Sequence, residues 1–160
     1  HPRVKILQPG AGVGGHCIAV DPWFLVDADP ENAKLIKIAR QQNDFKKDWV
    51  INKIKSSAKL FQTKNKRAPL IACMGLAFKP DIDDLRESPA KHITLQLIKE
   101  GFNILPVEPN LDKHPDFDPI FCQDAIERAD IIVFLVKHKE FKGLVLLPKK
   151  IVLDFCGINN

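Results

Sequence analysis

The residue of this sequence best suited to covalent chemistry is Cys17, which follows a glycine-rich segment and His16. Glycines at positions 10, 12, 14 and 15 predict a loop whose main chain can approach a ligand closely and present Cys17 to it. A loop cysteine acts as a nucleophile once backbone amides or positive neighbours lower the pKa of its thiol. His16 is a candidate for such a neighbour, and equally for a ligand contact. The alternative for Cys17 is a buried, inert thiol.

The same glycines match the GxGxxG pattern of a dinucleotide-binding turn, because residues 10–15 follow a short apolar stretch at residues 4–7. That turn needs a helix directly after its third glycine, and Pro22 would break such a helix in its second turn. No second strand with a terminal acidic residue follows at the usual distance. We therefore interpret the glycines as a ligand-approaching loop and not as a dinucleotide site.

Composition narrows the class of protein. The chain has 160 residues, of which 45% are hydrophobic and 28% charged, which is typical of a globular protein. Its net charge of +4 is spread along the sequence, which suits an anionic small molecule but lacks the clustering expected of a nucleic-acid-binding surface. No apolar run is long enough to cross a bilayer, and residues 1–5 lack a signal-peptide pattern. We expect neither a nucleic-acid nor a membrane partner.

The other three cysteines, Cys73, Cys122 and Cys156, have apolar neighbours and indicate small buried side chains. None of the cysteines forms a CxxC pair, and the histidines and cysteines lack zinc spacing. The sequence therefore predicts no metal site and a reducing compartment, for which the cytoplasm is the best candidate.

Hydrophobic periodicity predicts one long helix, or two close ones, over residues 30–64, with Pro30 in the first turn after a possible cap at Asp29. Apolar runs predict buried strands at residues 69–77, 103–107, 131–136 and 151–155, with Pro106 indicating an edge strand. Helices are predicted at residues 88–100 and 123–129. Apolar strands that alternate with helices are typical of a parallel sheet covered on both faces. We predict a Rossmann-like, doubly wound α/β domain over residues 66–160, preceded by a loop and a long helical segment over residues 1–65.

Two long motifs resemble the UDP-glucose/GDP-mannose dehydrogenase family. Residues 12–24 (Gly-Val-Gly-Gly-His-Cys-Ile-Ala-Val-Asp-Pro-Trp-Phe) are similar to its catalytic-cysteine segment, in the form of the UDP-N-acetylmannosamine dehydrogenase branch. Residues 75–80 and 83–90 resemble the strand-to-helix turn of its UDP-binding domain. Shorter matches at residues 42–44, 107–110 and 152–154 keep the family order. Val20 stands where UDP-glucose enzymes commonly have a lysine, which favours the N-acetylmannosamine branch.

The resemblance implies a four-electron oxidation of a sugar C6 alcohol to a carboxylate, with two NAD consumed. It assigns Cys17 as the nucleophile that carries thiohemiacetal and thioester intermediates. It assigns Asp21 to orient or deprotonate water; the alternative for Asp21 is a turn residue before Pro22.

The resemblance also implies the binding residues. Lys79 and Phe78 correspond to nucleotide-sugar contacts, as do Gly14, Gly15 and His16. Arg86 corresponds to an arginine near the cofactor phosphates, and its alternative is an ion pair with a neighbouring carboxylate. Arg3 corresponds to an arginine that reaches the sugar site of a neighbouring subunit.

The family's main NAD-binding domain would lie upstream of His1, so the resemblance implies the C-terminal half of an enzyme, inactive alone, that binds a UDP-sugar and forms a homodimer through its long helix. Three alternatives remain open. The chain is a stand-alone UDP-sugar-binding or regulatory module, a dehydrogenase for another UDP-hexose, or a thiol-dependent enzyme that does not use NAD.

Overall fold

The computed structural model of the chain describes residues 8–158, so Arg3 and the apolar stretch at residues 4–7 lie outside the described part. Two helices come first, α1 (Asp21–Ala28) and α2 (Lys34–Asn65). An α/β part follows, made of β1 (Leu70–Met74), α3 (Pro89–Lys99), β2 (Asn103–Val107), α4 (Cys122–Arg128), β3 (Ile131–Phe134), a short 3-10 helix (Lys139–Phe141) and β4 (Ile151–Asp154). Within these residues, no helix combines the length and apolarity that a bilayer-spanning segment needs.

The four strands form one parallel sheet in the order β2-β1-β3-β4, which confirms the predicted Rossmann-like α/β architecture. The chain passes from β1 to β2 on one side and then returns to place β3 on the other side of β1. In open α/β sheets, this reversal creates a crevice at the carboxyl ends of the central strands. Pro106 lies in β2, an edge strand among the described residues, as predicted, since an edge strand needs only half of its ladder bonds.

The prediction that the last strand is buried on both faces is wrong. In β4, half-buried residues alternate with exposed ones, and Val152 is 37% exposed. This strand lies at the second edge of the described sheet, where only one face is covered.

The sequence prediction also missed α1, which was assigned to a loop. The prediction treated Pro22 as a helix breaker, but the helix begins at Asp21, which places Pro22 in the first turn, where no backbone N–H is needed. The predicted helix start at Pro30 is likewise wrong, because α2 begins at Lys34. Asp29 ends α1 instead, and its carboxylate accepts a hydrogen bond from the Asn32 backbone N–H at 3.2 Å.

The second half of α2 packs into the same hydrophobic core as the sheet. Val50 and Ile54 are fully buried and belong to one cluster with Ile71 of β1 and Ile93 of α3. Each such side chain contributes about 1.5–3 kcal/mol through burial. The second half of the long helix is therefore attached to the α/β part of the chain.

Candidate functional site

The glycine-rich loop lies against the turn that follows β1. The Gly15 backbone N–H donates to the Arg86 carbonyl at 3.2 Å. A Cβ atom on Gly14 would lie 2.3 Å from the Glu87 carbonyl oxygen, and one on Gly15 would lie 3.0 Å from the Phe78 ring. Gly15 also has a φ of +93°, which side-chain-bearing residues rarely adopt. Gly14 and Gly15 are thus required for a close approach of the loop to residues 78–89, whereas the predicted approach to a ligand stays a prediction.

A side chain of α2 holds this loop from the other direction. The Asn43 carboxamide oxygen accepts from the Val13 backbone N–H at 2.7 Å, and its amide nitrogen donates to the Val13 carbonyl at 3.1 Å. The sequence analysis placed residues 42–44 in a family motif but assigned Asn43 no role. An asparagine on a long helix normally indicates a solvated face, so only its family position could have singled it out.

Cys17 is an exposed free thiol at the end of the loop, which excludes the buried alternative. Its carbonyl oxygen accepts from the backbone N–H groups of Val20 at 3.0 Å and Asp21 at 2.8 Å. Asp21 is exposed and begins α1, where the helix dipole favours a negative charge. The turn that these bonds close fixes the thiol-bearing backbone next to Asp21. His16, beside Cys17, is exposed as well.

Phe78 and Lys79 follow β1 in a loop that faces the glycines. The Phe78 backbone N–H donates to the Asp84 carbonyl at 3.0 Å, which closes the loop between residues 78 and 84. The Phe78 ring is half-buried because Gly15 packs against it, whereas Lys79 is exposed, with its ammonium group 6.0 Å from the ring centroid. An aromatic face and a cation therefore lie beside the loop that carries Cys17.

Arg86 forms the ion pair that was its alternative assignment. Its guanidinium donates to both carboxylate oxygens of Asp84, at 2.6–3.0 Å. The hydrogen bonds from Arg86 lower the pKa of Asp84 to about 2, and the nearby charge of His16 contributes to the lowering. The same pairing, with a smaller contribution from Cys17, raises the pKa of Arg86. These interactions place Arg86 and Asp84 within electrostatic range of the cysteine segment.

A buried carboxylate organises the crevice at the carboxyl end of β1. Glu108 is only 3% exposed, and one of its oxygens accepts from the backbone N–H groups of Leu76 at 2.7 Å and Ala77 at 2.9 Å. The same oxygen lies 3.1 Å from Nε2 of the fully buried His138. Burial alone would raise the pKa of Glu108, but the bonds from His138 and Leu76 outweigh it, so the pKa is lowered.

The network joins residues 108 and 138 through internal hydrogen bonds. The other ring nitrogen of His138 accepts from the Asp81 backbone N–H at 3.0 Å, so the Nε2 atom carries the proton donated to Glu108. Amides at the end of the first strand bind phosphate in dinucleotide folds. Here an internal carboxylate already takes that position.

Three side chains near this network, those of Asp81, His138 and Glu140, bring potential metal-ligating atoms within 4.8 Å of one another. The Nδ1 atom of His138 already accepts from Asp81 and lies 3.1 Å from the Asn110 amide nitrogen. The histidine is therefore committed to internal hydrogen bonds, and we assign no metal to this group.

Comparison with known proteins places these features in a family. Residues 1–45 match the central domain, and residues 72–160 the UDP-binding domain, of the UDP-glucose/GDP-mannose dehydrogenase family. The chain is 49% identical to the UDP-N-acetyl-D-mannosamine dehydrogenase of Campylobacter jejuni, over 98% of this chain and 38% of that protein. It is 47% identical to an NDP-N-acetyl-D-galactosaminuronic acid dehydrogenase of Ralstonia solanacearum, over 99% of this chain and 38% of that protein.

A solved structure agrees with these matches. The UDP-N-acetyl-mannosamine dehydrogenase of Staphylococcus aureus superimposes with a TM-score of 0.76 and 34% identity, over 99% of this chain and 36% of that one. The chain thus spans about 38% of the length of the curated relatives it matches. From the glycine loop, the parallel sheet and these matches, we conclude that the chain belongs to the UDP-glucose/GDP-mannose dehydrogenase family.

Proposed function

We propose that this chain is part of an NAD-dependent dehydrogenase that oxidises the C6 alcohol of UDP-N-acetylmannosamine to a carboxylate, with two NAD consumed. The observation that carries the proposal is the contact between the two matched regions. The loop that ends in the exposed Cys17 packs, through Gly15, against Phe78 and Arg86 of the UDP-binding region. A ligand bound beside that region would have its sugar close to the thiol.

The proposed role of Cys17 is that of a nucleophile. Its thiolate adds to the carbonyl carbon of the C6 aldehyde, and the carbonyl oxygen takes a proton, which gives a thiohemiacetal. Loss of the hydride from that carbon and of the proton from its hydroxyl group leaves a thioester. Water, oriented by Asp21, then adds to the thioester and expels the thiolate, which releases the acid. NAD, when bound, supplies the hydride acceptor.

The described residues do not form a dinucleotide site by themselves. Gly14 and Gly15 are occupied by contacts with Glu87 and Phe78, and the next helix begins only at Asp21. The amides at the end of β1 are taken by Glu108. We propose that the cofactor is bound mainly by another part of the protein, and that Arg86 of this chain contacts the cofactor phosphates.

The proposed nucleotide-sugar contacts surround the same loop. The exposed ammonium of Lys79 would pair with the anionic diphosphate-linked substrate, and the half-buried Phe78 ring would offer an apolar surface. The remaining proposed substrate contacts are Gly14, Gly15, His16 and Arg3, of which Arg3 lies outside the described residues.

A second candidate substrate follows from the comparisons. Identities of 49% and 47% to enzymes named for two different N-acetylated sugars do not separate those sugars. UDP-N-acetylgalactosamine is therefore the alternative substrate for the same chemistry.

Two further features complete the proposal. The protein forms a homodimer through α2, which exposes an apolar stripe made of Leu35, Ile38, Phe45 and Trp49. A cytoplasmic location is consistent with four free thiols, which a reducing compartment maintains.

Calorimetric titration of this chain with UDP, UDP-N-acetylmannosamine and NAD tests the proposal. We expect binding of both UDP compounds and little or none of NAD. Lys79→Ala should weaken binding about 10- to 100-fold, since hydrogen bonds to charged groups are worth about 1.5–3 kcal/mol. Lys37→Ala, which alters an exposed lysine of α2, is the matched control and should bind like the wild type.

The opposite results would separate the alternatives. Binding of NAD without UDP would make the glycines a true dinucleotide turn and overturn the proposal. Rapid alkylation of Cys17 without protection by either UDP-sugar would favour a thiol enzyme that does not use NAD. A titration in which UDP-N-acetylgalactosamine binds more tightly than UDP-N-acetylmannosamine would select the second sugar.

A further inference from the structure

Asn43 makes two hydrogen bonds to one residue of the glycine loop, and both go to main-chain atoms. Its carboxamide oxygen accepts the Val13 N–H at 2.7 Å, and its nitrogen donates to the Val13 carbonyl at 3.1 Å. These two hydrogen bonds close a ring between the Asn43 side chain and the Val13 main chain. The amide therefore bonds Val13 as a neighbouring strand would in a β-sheet. Both polar groups of Val13 are thereby satisfied in a segment without regular secondary structure.

Three elements meet at this pair. Gly12, with a φ of +143°, is close enough that an added Cβ would lie 3.6 Å from the Asn43 carboxamide oxygen and 3.1 Å from the Pro89 ring. Pro89 begins α3, and Asn43 lies one-third of the way along α2. The loop is thus held between two helices at Gly12 and Val13, immediately before the backbone contacts of Gly14 and Gly15.

The chain between this point and the thiol has few remaining degrees of freedom. Gly15 is bonded to the Arg86 carbonyl, and the Cys17 carbonyl accepts from Val20 and Asp21 at the start of α1. His16 is the one residue between these two sets of bonds. Displacement of Val13 would break the bond from Gly15 to the Arg86 carbonyl. The position of Cys17 would then depend only on its bonds with Val20 and Asp21 at the start of α1.

We propose that Asn43 is a positioning residue for Cys17, which acts by fixing the main chain of Val13. The inference rests on the proposed function only for the assignment of Cys17 as the nucleophile. It predicts a rigid loop in the isolated chain, whether or not a nucleotide sugar binds. The geometry gives Asn43 no contact with the thiol, so its effect is transmitted through the backbone of residues 13–17.

Backbone ¹⁵N relaxation measures the effect directly on this 160-residue chain. In the wild type we expect backbone order parameters of about 0.85 for Gly14, Gly15 and Cys17. In Asn43→Ala we expect these order parameters to fall to about 0.6. Helix α2 should persist, because alanine has a higher helix propensity than asparagine. Asn52→Ala, an exposed asparagine of the same helix, is the matched control and should leave the loop rigid.

Asn43→Asp provides a rescue test that a merely structural role would not pass. A protonated aspartic acid accepts from the Val13 N–H and donates to its carbonyl, as the amide does, whereas the carboxylate has no hydrogen to donate. The loop of this variant should be more rigid near pH 3, below the ordinary aspartate pKa of about 3.9, than near pH 7.5. The nearby charged groups, Asp44 and Lys47 on α2 and Glu87 and His92 at α3, are also present in the wild type, which is measured in parallel.

Two outcomes would overturn the proposal. One is an Asn43→Ala loop as rigid as that of the wild type, and the other is equal loosening by Asn52→Ala. Protection of Cys17 from iodoacetamide by UDP-N-acetylmannosamine is recorded on the same samples. Failure of that protection in the wild type, together with a rigid wild-type loop that Asn43→Ala loosens, would contradict the proposed function and leave the positioning role intact.

Discussion

Gly14 is the position at which the cysteine loop has least room. An added Cβ would lie 2.3 Å from the Glu87 carbonyl oxygen and 2.8 Å from the Pro89 ring, and the first of these atoms belongs to the backbone. Gly14→Ala should therefore force the loop away from α3 and reduce the free energy of unfolding by about 1–3 kcal/mol, measured by urea denaturation. Gly10→Ala has no atom within 4 Å of the added Cβ and should change it by less than about 0.5 kcal/mol. Equal stability of the two variants would show that the loop is not seated as described.

Glu108 is the second residue whose environment makes a sharp prediction. Its pKa lies below the ordinary value, so the group stabilises the fold above the unfolded-state pKa, and this stabilisation is lost as the pH falls through the folded-state pKa. Donors face both oxygens of Glu108, because Leu76 and Ala77 donate to one and Asn110 donates to the other. The amide nitrogen of Glu108→Gln must therefore face an N–H group in either orientation, which should cost about 1–3 kcal/mol at pH 7.

Urea denaturation of the wild type and Glu108→Gln at pH 7 and at pH 3.5 tests this prediction. The difference between the two proteins should shrink at the lower pH, because the wild type then loses the contribution of its carboxylate. Glu31→Gln, at an exposed position of a surface ion pair, serves as the control and should have little effect at either pH. A difference that grows at low pH would show that Glu108 is not held as a carboxylate.

At the scale of elements, α2 presents two faces with opposite consequences for mutation. Ile54 is fully buried in the core shared with β1 and α3, whereas Leu60 of the same helix is 71% exposed. Ile54→Ala should lower the free energy of unfolding by about 2–5 kcal/mol, and Leu60→Ala by less than about 0.5 kcal/mol. Thermal or urea denaturation of both variants checks the difference. Similar losses would mean that α2 does not pack on the sheet through this face.

The elements were predictable from the sequence where a local signal determines them. The parallel sheet was predictable from the apolar runs of β1, β2 and β3, and the start of α3 was predictable from Ser88 and Pro89. Buried strands and helix starts are determined by residues that are consecutive in the sequence. The structure confirms this helix start, because α3 begins at Pro89 and the Ser88 side chain accepts from the Lys91 N–H. Helix α1 was missed because a proline in a first turn and a proline that breaks a helix look alike until the start of the helix is known.

The candidate site was predictable only in part. Cys17 was identified from its glycines, and its exposure agrees with that assignment. The bonds between Asn43 and Val13 and between Leu76 and Glu108 join residues about thirty positions apart, and no local pattern encodes such a pairing. An acidic residue after a second strand indicates a ribose contact in Rossmann folds, and this pattern does not predict the internal bonds that Glu108 accepts from Leu76 and Ala77. The domain boundary predicted at residues 65 and 66 stays a prediction.

At the scale of the whole molecule, α2 carries an exposed apolar stripe that a second copy would cover. The stripe consists of Leu35, Ile38, Phe45 and Trp49, whose intervals of three, seven and four residues place them on one helix face. Ile38→Glu should convert a dimer to a monomer in sedimentation equilibrium, since it buries a charge in the proposed interface. Lys37→Glu, on the adjacent exposed position, should remain dimeric. A wild-type chain that sediments as a monomer at all concentrations would contradict the proposed dimer.

The shared core of α2 and the sheet has a consequence for recombination between family members. The two matched regions end and begin at residues 45 and 72, which invites a crossover anywhere between them. Val50 and Ile54, however, belong to one buried cluster with the strands that follow, including Ile71 and Ile131. A chimera joined after residue 65 would unite a helix from one parent with the sheet of another, and their buried side chains would not match. A crossover between residues 45 and 50 keeps the contacts between α2 and the sheet from a single parent and moves the junction to the part of α2 with exposed side chains.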